Sequence, residues 1–110
     1  MVYNFCSDGS CGKFPNGLTF GPVSHDLLGT MQEGGSTNSG LAYGLQFKNG
    51  TWSQNILHDF CTDGNCTSGA KPTASIIEDA SGNLFSTTGD GGNVTCPGGS
   101  GCGIVFELKR

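Results

Sequence analysis

The chain has little of what helices and membrane spans require. Only 35% of its 110 residues are hydrophobic, whereas 20 are glycine. Its apolar runs are a few residues long, as at 103–106, far short of the roughly 20 that cross a bilayer. Short strands joined by many turns are therefore expected, with almost no helix and no membrane span.

Positive charge is also scarce. Five residues are Lys or Arg against nine Asp or Glu, which gives a net charge of −4. The five cations are scattered along the chain and form no stripe that neutralises phosphates. We therefore expect no nucleic-acid partner.

Six cysteines fall as three close couples, and each couple brackets a glycine-containing turn that folds the chain back on itself. Pairing within the couples is the simplest of the connectivities that six cysteines allow. Because disulfides persist in oxidising surroundings, the pattern predicts an extracellular or cell-surface protein. The predicted pairs are Cys6 with Cys11, Cys61 with Cys66, and Cys96 with Cys102.

A zinc site is the alternative use of the cysteines, with His25 and His58 as further ligands. Zinc ribbons, however, favour two residues between paired cysteines, and these couples are wider. Three N-x-[ST] sequons lie in predicted turns and are candidate glycosylation sites. They begin at Asn49, Asn65 and Asn93.

The most informative feature is an internal repeat. A period of about 50 residues is typical of propellers and related arrays. The chain accordingly divides into copies 1–50 and 51–110. The matched positions are 3–11 with 58–66, Pro15 with Pro72, 26–30 with 83–87, and 44–47 with 103–106.

Each copy supplies four strand candidates, with apolar and polar residues alternating. Asn49 with Gly50 suits a tight type I′ turn between antiparallel strands. These features predict an all-β fold of two four-stranded antiparallel propeller-type blades in one structural unit. A duplicated β-sandwich is the alternative. The candidates in the second copy are 52–60, 73–78, 83–88 and 103–109, with a hairpin loop at 79–83.

The repeat also resembles a known family. Residues 77–88 read Ile-Glu-Asp-Ala-Ser-Gly-Asn-Leu-Phe-Ser-Thr-Thr, and Gly-Ile-Val-Phe-Glu-Leu follows at 103–108. Together with the Cys-[ST]-Asp-Gly-x-Cys loops, this pattern is similar to the GloVer tandem repeat of secreted or surface-anchored bacterial proteins. The resemblance covers essentially the whole chain, although residues 21–26 and Gln46 depart from it. It implies a propeller-like fold and carries over no catalytic residue.

Two copies leave both ends of the repeat unmatched. Arrays of this kind generally need about three repeats or an end cap. Residues 103–109 lack the hairpin partner that 44–48 find in 52–60. We therefore expect a strand at 2–5 to pair with the C-terminal strand of another copy, giving a ring or a filament. A segment of a longer repeat array is the alternative.

Four carboxylates recur at matching places in the two copies. Asp8 and Asp63 lie in the cysteine loops, and Glu33 and Asp90 each precede two glycines. Such groups could bind Ca²⁺ with backbone carbonyls, but the chain has neither an EF-hand loop nor a calcium-binding nonapeptide. Asp before Gly is a common turn residue, so no resident cofactor is expected.

No residue is predicted to be catalytic. His25 and His58 have no histidine counterpart in the other copy, and no nucleophile elbow or zinc-protease motif occurs. Trp52 and Tyr43 are expected to be partly exposed and able to stack on a sugar ring, with packing between blades as the alternative. We predict a non-catalytic extracellular module with a structural, adhesive or self-assembling role and carbohydrate as candidate ligand. The rival prediction is a propeller-type hydrolase or lactonase with a site shared between chains.

Overall fold

The computed structural model describes residues 1–93, 96 and 99–109. That part of the chain contains eight strands and no helix, which confirms the all-β prediction. The strands form two four-stranded antiparallel sheets, sheet 1 from the first four and sheet 2 from the last four. They are β1 (Lys13–Phe20), β2 (Leu27–Glu33), β3 (Leu41–Lys48), β4 (Thr51–Asp59), β5 (Ala70–Pro72), β6 (Ile77–Glu78), β7 (Leu84–Asp90) and β8 (Val105–Leu108).

Sheet 1 is a meander in which each strand pairs with the next along the chain. Its last hairpin turns at Asn49 and Gly50, whose φ angles of 52° and 78° are the two positive values that a type I′ turn requires. This turn keeps β4 beside β3, although β4 belongs to the second sequence copy. The boundary between the sheets therefore lies between Asp59 and Ala70, within the second sequence copy.

Sheet 2 is built around β7. β5 and β6 pair with one side of β7, and β8 pairs with the other. The prediction of a single strand over 73–78 is wrong, because carbonyls in this stretch accept hydrogen bonds from side chains. The Ser86 hydroxyl donates to the Ser75 carbonyl at 2.7 Å, and the Thr30 hydroxyl donates to the Ala74 carbonyl at 2.8 Å.

The two sheets pack face to face. We call the face of sheet 1 that contacts sheet 2 its front, and the face of sheet 2 that contacts sheet 1 its back. Side chains alternate between faces along each strand, so Leu28 and Ala42 lie on the front of sheet 1, and Leu84 and Phe106 on the back of sheet 2. With Phe60 and Ile76, these side chains form the buried cluster between the sheets.

A second apolar cluster lies on the back of sheet 1, the face turned away from sheet 2. Tyr3 and Phe5 pack over it from the N-terminal segment. The strand predicted at 2–5 is therefore not a strand within this chain. The segment is held by its side chains instead of by a backbone ladder. The buried members of the cluster are Met31, Leu41, Tyr43 and Leu45.

Candidate functional site

The three cysteine couples lie at disulfide distance, which fits the predicted pairing. None of the six cysteines is free, so no thiolate is left for the alternative zinc site. Three disulfides in a chain of 110 residues indicate an oxidising environment. The Cα–Cα separations are 5.9 Å for Cys6 and Cys11, 4.1 Å for Cys61 and Cys66, and 5.7 Å for Cys96 and Cys102.

The two carboxylates of the cysteine loops act as turn acceptors. Asp8 accepts hydrogen bonds from the N–H of Ser10 at 2.9 Å and from its hydroxyl at 2.8 Å, and these bonds lower the pKa of Asp8. Asp63 accepts from the Thr67 hydroxyl and from the N–H groups of Cys66 and Asn65, which lowers its pKa. Both ionised side chains thus hold their loops in shape, as Asp does in turns.

The other two calcium candidates lie at strand ends. Glu33 ends β2 opposite Lys13 of β1, and Asp90 ends β7 opposite Ala70 of β5. Among the residues that the structure describes, no three His, Cys, Asp or Glu side chains gather as a metal site requires. The four carboxylates therefore share no common centre in one chain.

The two histidines lie in unlike surroundings. His58 packs edge-on against Phe60, with ring centroids 4.5 Å apart. Burial lowers the pKa of His58, and the nearby Asp59 carboxylate opposes that effect. His25 is exposed beside Phe20, before the first residue of β2, whereas His58 pairs with β3 at the other end of sheet 1. The chain does not bring them together as an acid and base pair.

The aromatic candidates differ in access. The expectation of exposure is wrong for Tyr43, which is 2% exposed; alternation places it with buried leucines under Phe5. Burial raises the pKa of the Tyr43 hydroxyl. Trp52 is half-buried, with its ring 5.1 Å from that of Phe47. Trp52 alone of the two candidates keeps part of its ring open to a ligand.

Two of the three predicted sequons lie in described loops. Asn49 and Asn65 are exposed, the first in the β3–β4 hairpin and the second in the Cys61–Cys66 loop. Asn93 is exposed as well, but the remainder of its sequon, Val94 and Thr95, lies outside the described residues.

The front of sheet 2, which faces away from sheet 1, carries the surface that the sequence interpretation missed. Ile77, Phe85, Thr87 and Val105 line a shallow hollow of about 250 Å³ there. Phe85 matches the buried Leu28 of the first copy, so the repeat register contained the signal for this apolar face. Large exposed apolar patches commonly mark interaction sites.

The chain matches no protein-family model, no curated protein and no solved structure. Within the described residues, no helix has the length and apolar character of a membrane span. Besides the open apolar face, β8 pairs on one side only within the described residues, with β7.

Proposed function

We propose that the chain is a non-catalytic structural module of an extracellular or cell-surface assembly, whose copies join by strand addition at β8. The observation that carries this proposal is the difference between the two sheets. β3, which matches β8 by the repeat, is covered on its outer side by β4. Within the described residues, no strand pairs with the outer side of β8. An uncovered strand edge is a template for another chain.

The segment that would complete sheet 2 lies at the other end of the chain, because residues 3–5 match residues 58–60, which cover the end of β4 and the residue after it. Phe60 packs on the back of sheet 2, with its ring edge-on to Phe106 at 5.2 Å. Phe5 packs on the back of sheet 1 in the same way, edge-on to Tyr43 at 5.3 Å. This correspondence supports pairing of residues 2–5 with β8 of another copy.

The sequence copies and the sheets are offset by one strand, and this offset supports a propeller-type arrangement. Sheet 1 takes three strands from the first copy and its fourth strand from the second. When each sheet takes its outermost strand from the next copy, the last sheet is complete only if the first strand of another chain is added to it. That relation between chains is head-to-tail, which produces a ring or a filament. The disulfides and the resemblance to the GloVer repeat agree with a place outside the cell.

Light scattering and electron microscopy of the oxidised protein test this proposal. The diagnostic variant is Glu107→Pro. The Ile104 carbonyl accepts a hydrogen bond from the Thr88 N–H at 3.0 Å, so alternation directs the N–H of Glu107 away from β7. Proline there removes an outward donor and spares the β7–β8 ladder, whereas Glu107→Ala keeps the donor and is the matched control.

We expect rings or filaments from the wild type and from Glu107→Ala, growing with protein concentration, and dispersed chains from Glu107→Pro. A wild-type protein that stays monomeric at every concentration overturns the proposal. A ring in which Asp and His side chains converge, with turnover of an ester or lactone, would favour the rival hydrolase.

A further inference from the structure

Two apolar faces of the molecule have no sheet packed on them in the described part of the chain. On the front of sheet 2, Ile77 is 64% exposed and Val105 is 77% exposed. The back of sheet 1 carries a hollow of about 470 Å³ beside the N-terminal segment, where Leu18 is 53% exposed. One face belongs to the last sheet of the chain and the other to the first.

The front of sheet 2 repeats a face that is buried inside the chain. Thr87 matches Thr30, and Phe85 matches Leu28. Thr30 and Leu28 are fully buried against sheet 2, and the Thr30 hydroxyl donates to the Ala74 carbonyl across the contact at 2.8 Å. Thr87 is exposed instead. The front of sheet 2 therefore has the side chains of an interface and lacks the opposing sheet.

The back of sheet 1 repeats the other half of that contact. Leu18 of β1 pairs with Gly29, which matches Ser86 of β7. Because Ile77 pairs with Phe85, the preceding residue, Ile76, lies beside Ser86. Ile76 is therefore the counterpart of Leu18. Ile76 is fully buried against sheet 1, whereas Leu18 is exposed. The two uncovered faces are thus counterparts of the two faces that meet inside one chain.

We propose that the front of sheet 2 of one copy docks on the back of sheet 1 of a second copy, and so repeats the internal contact between the sheets. This inference rests on the proposed assembly function and specifies its geometry. Ile77 and Val105 pack toward Leu18 of the second copy. The Thr87 hydroxyl donates to a backbone carbonyl of β1 of that copy, because β1 holds in the first copy the place that the stretch around Ala74 holds in the second.

The same docked position also brings residues 2–5 of the second copy beside the outer edge of β8. Inside the chain, β4 runs in sheet 1 and continues through the Cys61–Cys66 loop into sheet 2. In the matching position, a second copy runs beside β8 at residues 2–5 and continues through its Cys6–Cys11 loop into its own sheet 1. Face docking and strand addition therefore require one and the same arrangement. This agreement identifies the occupant as a second copy and not as an unrelated apolar partner.

The contact joins two different faces, so it is heterologous and continues from copy to copy. A front-to-front dimer would instead join one face to itself and stop at two chains. The two modes predict different results for variants that block one face each, because only a front-to-front contact lets a variant blocked at the back dimerise alone.

The front variant carries Ile77→Lys with Val105→Lys, and the back variant carries Leu18→Lys. These side chains are exposed in the single chain, so the substitutions leave the fold intact, which circular dichroism and the thermal midpoint verify. A lysine buried at the contact is strongly unfavourable. Val23→Lys is the matched control, because Val23 is an exposed apolar residue of the β1–β2 loop.

Sedimentation velocity gives the result. We expect the control to assemble as the wild type does, each blocked variant alone to associate at least about a hundredfold more weakly, and the equimolar mixture to form dimers that do not grow. A mixture that stays monomeric while the wild type assembles overturns the inference. A back variant that dimerises alone, or blocked variants that assemble normally, overturns it and leaves the assembly function standing. A monomeric wild type overturns both.

Discussion

Replacing Phe60 with alanine tests the contact that holds the two sheets together. The side chain is fully buried, and its ring meets those of Phe106 and His58 edge-on at 5.2 Å and 4.5 Å. Truncating a buried Phe to Ala costs about 3–5 kcal/mol. Because a domain has about 5–15 kcal/mol of unfolding free energy in all, Phe60→Ala should remove a large part of it, about 4 kcal/mol.

Phe5→Ala is the matched comparison, because Phe5 is the repeat counterpart of Phe60. Phe5 is only half-buried in the single chain. Fully burying a Phe side chain is worth about 1.5–3 kcal/mol, so the loss at Phe5 should be about 1 kcal/mol. The difference of about 3 kcal/mol between the variants measures what a neighbouring sheet adds to one aromatic ring.

Urea unfolding of the oxidised protein, at concentrations below those that allow assembly, measures both losses. The chain has one tryptophan, so the fluorescence of Trp52 follows the transition. With a slope of about 2 kcal/mol per molar urea, a loss of 4 kcal/mol lowers the midpoint by about 2 M. Equal losses in the two variants, or a Phe60→Ala loss below about 1 kcal/mol, would refute the packing described for the sheets.

Three further predictions use the same unfolding assay. Thr30→Val should cost about 1–3 kcal/mol, because it leaves buried partners without a hydrogen bond, while the exposed Thr87→Val stays within about 0.5 kcal/mol in the single chain; equal costs would contradict the repeat geometry. Burial lowers the pKa of His58 below its ordinary value of 6.5, so the unfolded chain binds more protons and the unfolding free energy falls as the pH drops below that value. His58→Gln should flatten this slope, and an unchanged slope would assign it to other groups. Replacing Cys61 and Cys66 together by serine should cost about 2 kcal/mol through loop entropy, and an unchanged midpoint would show that the bond does not constrain the unfolded chain.

Local chemistry made much of the fold predictable. The predicted strands at 52–60 and 83–88 lie within two residues of β4 and β7, because side-chain alternation is a property of the segment itself. The loop predicted at 79–83 joins β6 and β7, and the Asp79 carboxylate closes it by accepting from the N–H groups of Ser81 and Asn83 at 2.9 Å and 2.8 Å. Turns whose conformation is set within a few residues can be read from sequence.

Local pattern is least informative where a partner decides the structure. Residues 2–5 have the composition of a strand, but in the described part of the chain they form none and pack through Tyr3 and Phe5 instead; their pairing with another copy stays a prediction. The stretch 73–78 is divided because Thr30 and Ser86 bind its carbonyls. The local sequence pattern predicts neither feature, because a missing neighbouring strand and a hydroxyl from another strand both depend on distant parts of the fold.

The apolar front of sheet 2 was not predicted from the sequence for a different reason. Attention to carboxylates, histidines and exposed aromatics overlooks aliphatic residues such as Ile77 and Val105, which are ordinary core residues by type. Their position becomes informative only when the fold shows which sheet lacks a neighbour. The register that aligns Phe85 with Leu28 was the available signal, because matched residues of a repeat should have matched surroundings.

Energetics indicate that the open face and the open edge act together. Burying Ile77 and Val105 completely gives about 3–6 kcal/mol, whereas association costs about 4–15 kcal/mol in lost translational and rotational freedom. The two side chains therefore offset this cost only at its low end, and we expect the backbone bonds of strand addition at β8 to supply the remainder. Blocking the edge with Glu107→Pro or the face with Ile77→Lys and Val105→Lys should consequently abolish assembly separately. If either variant assembled at the wild-type concentration, the two contacts would not belong to one interface.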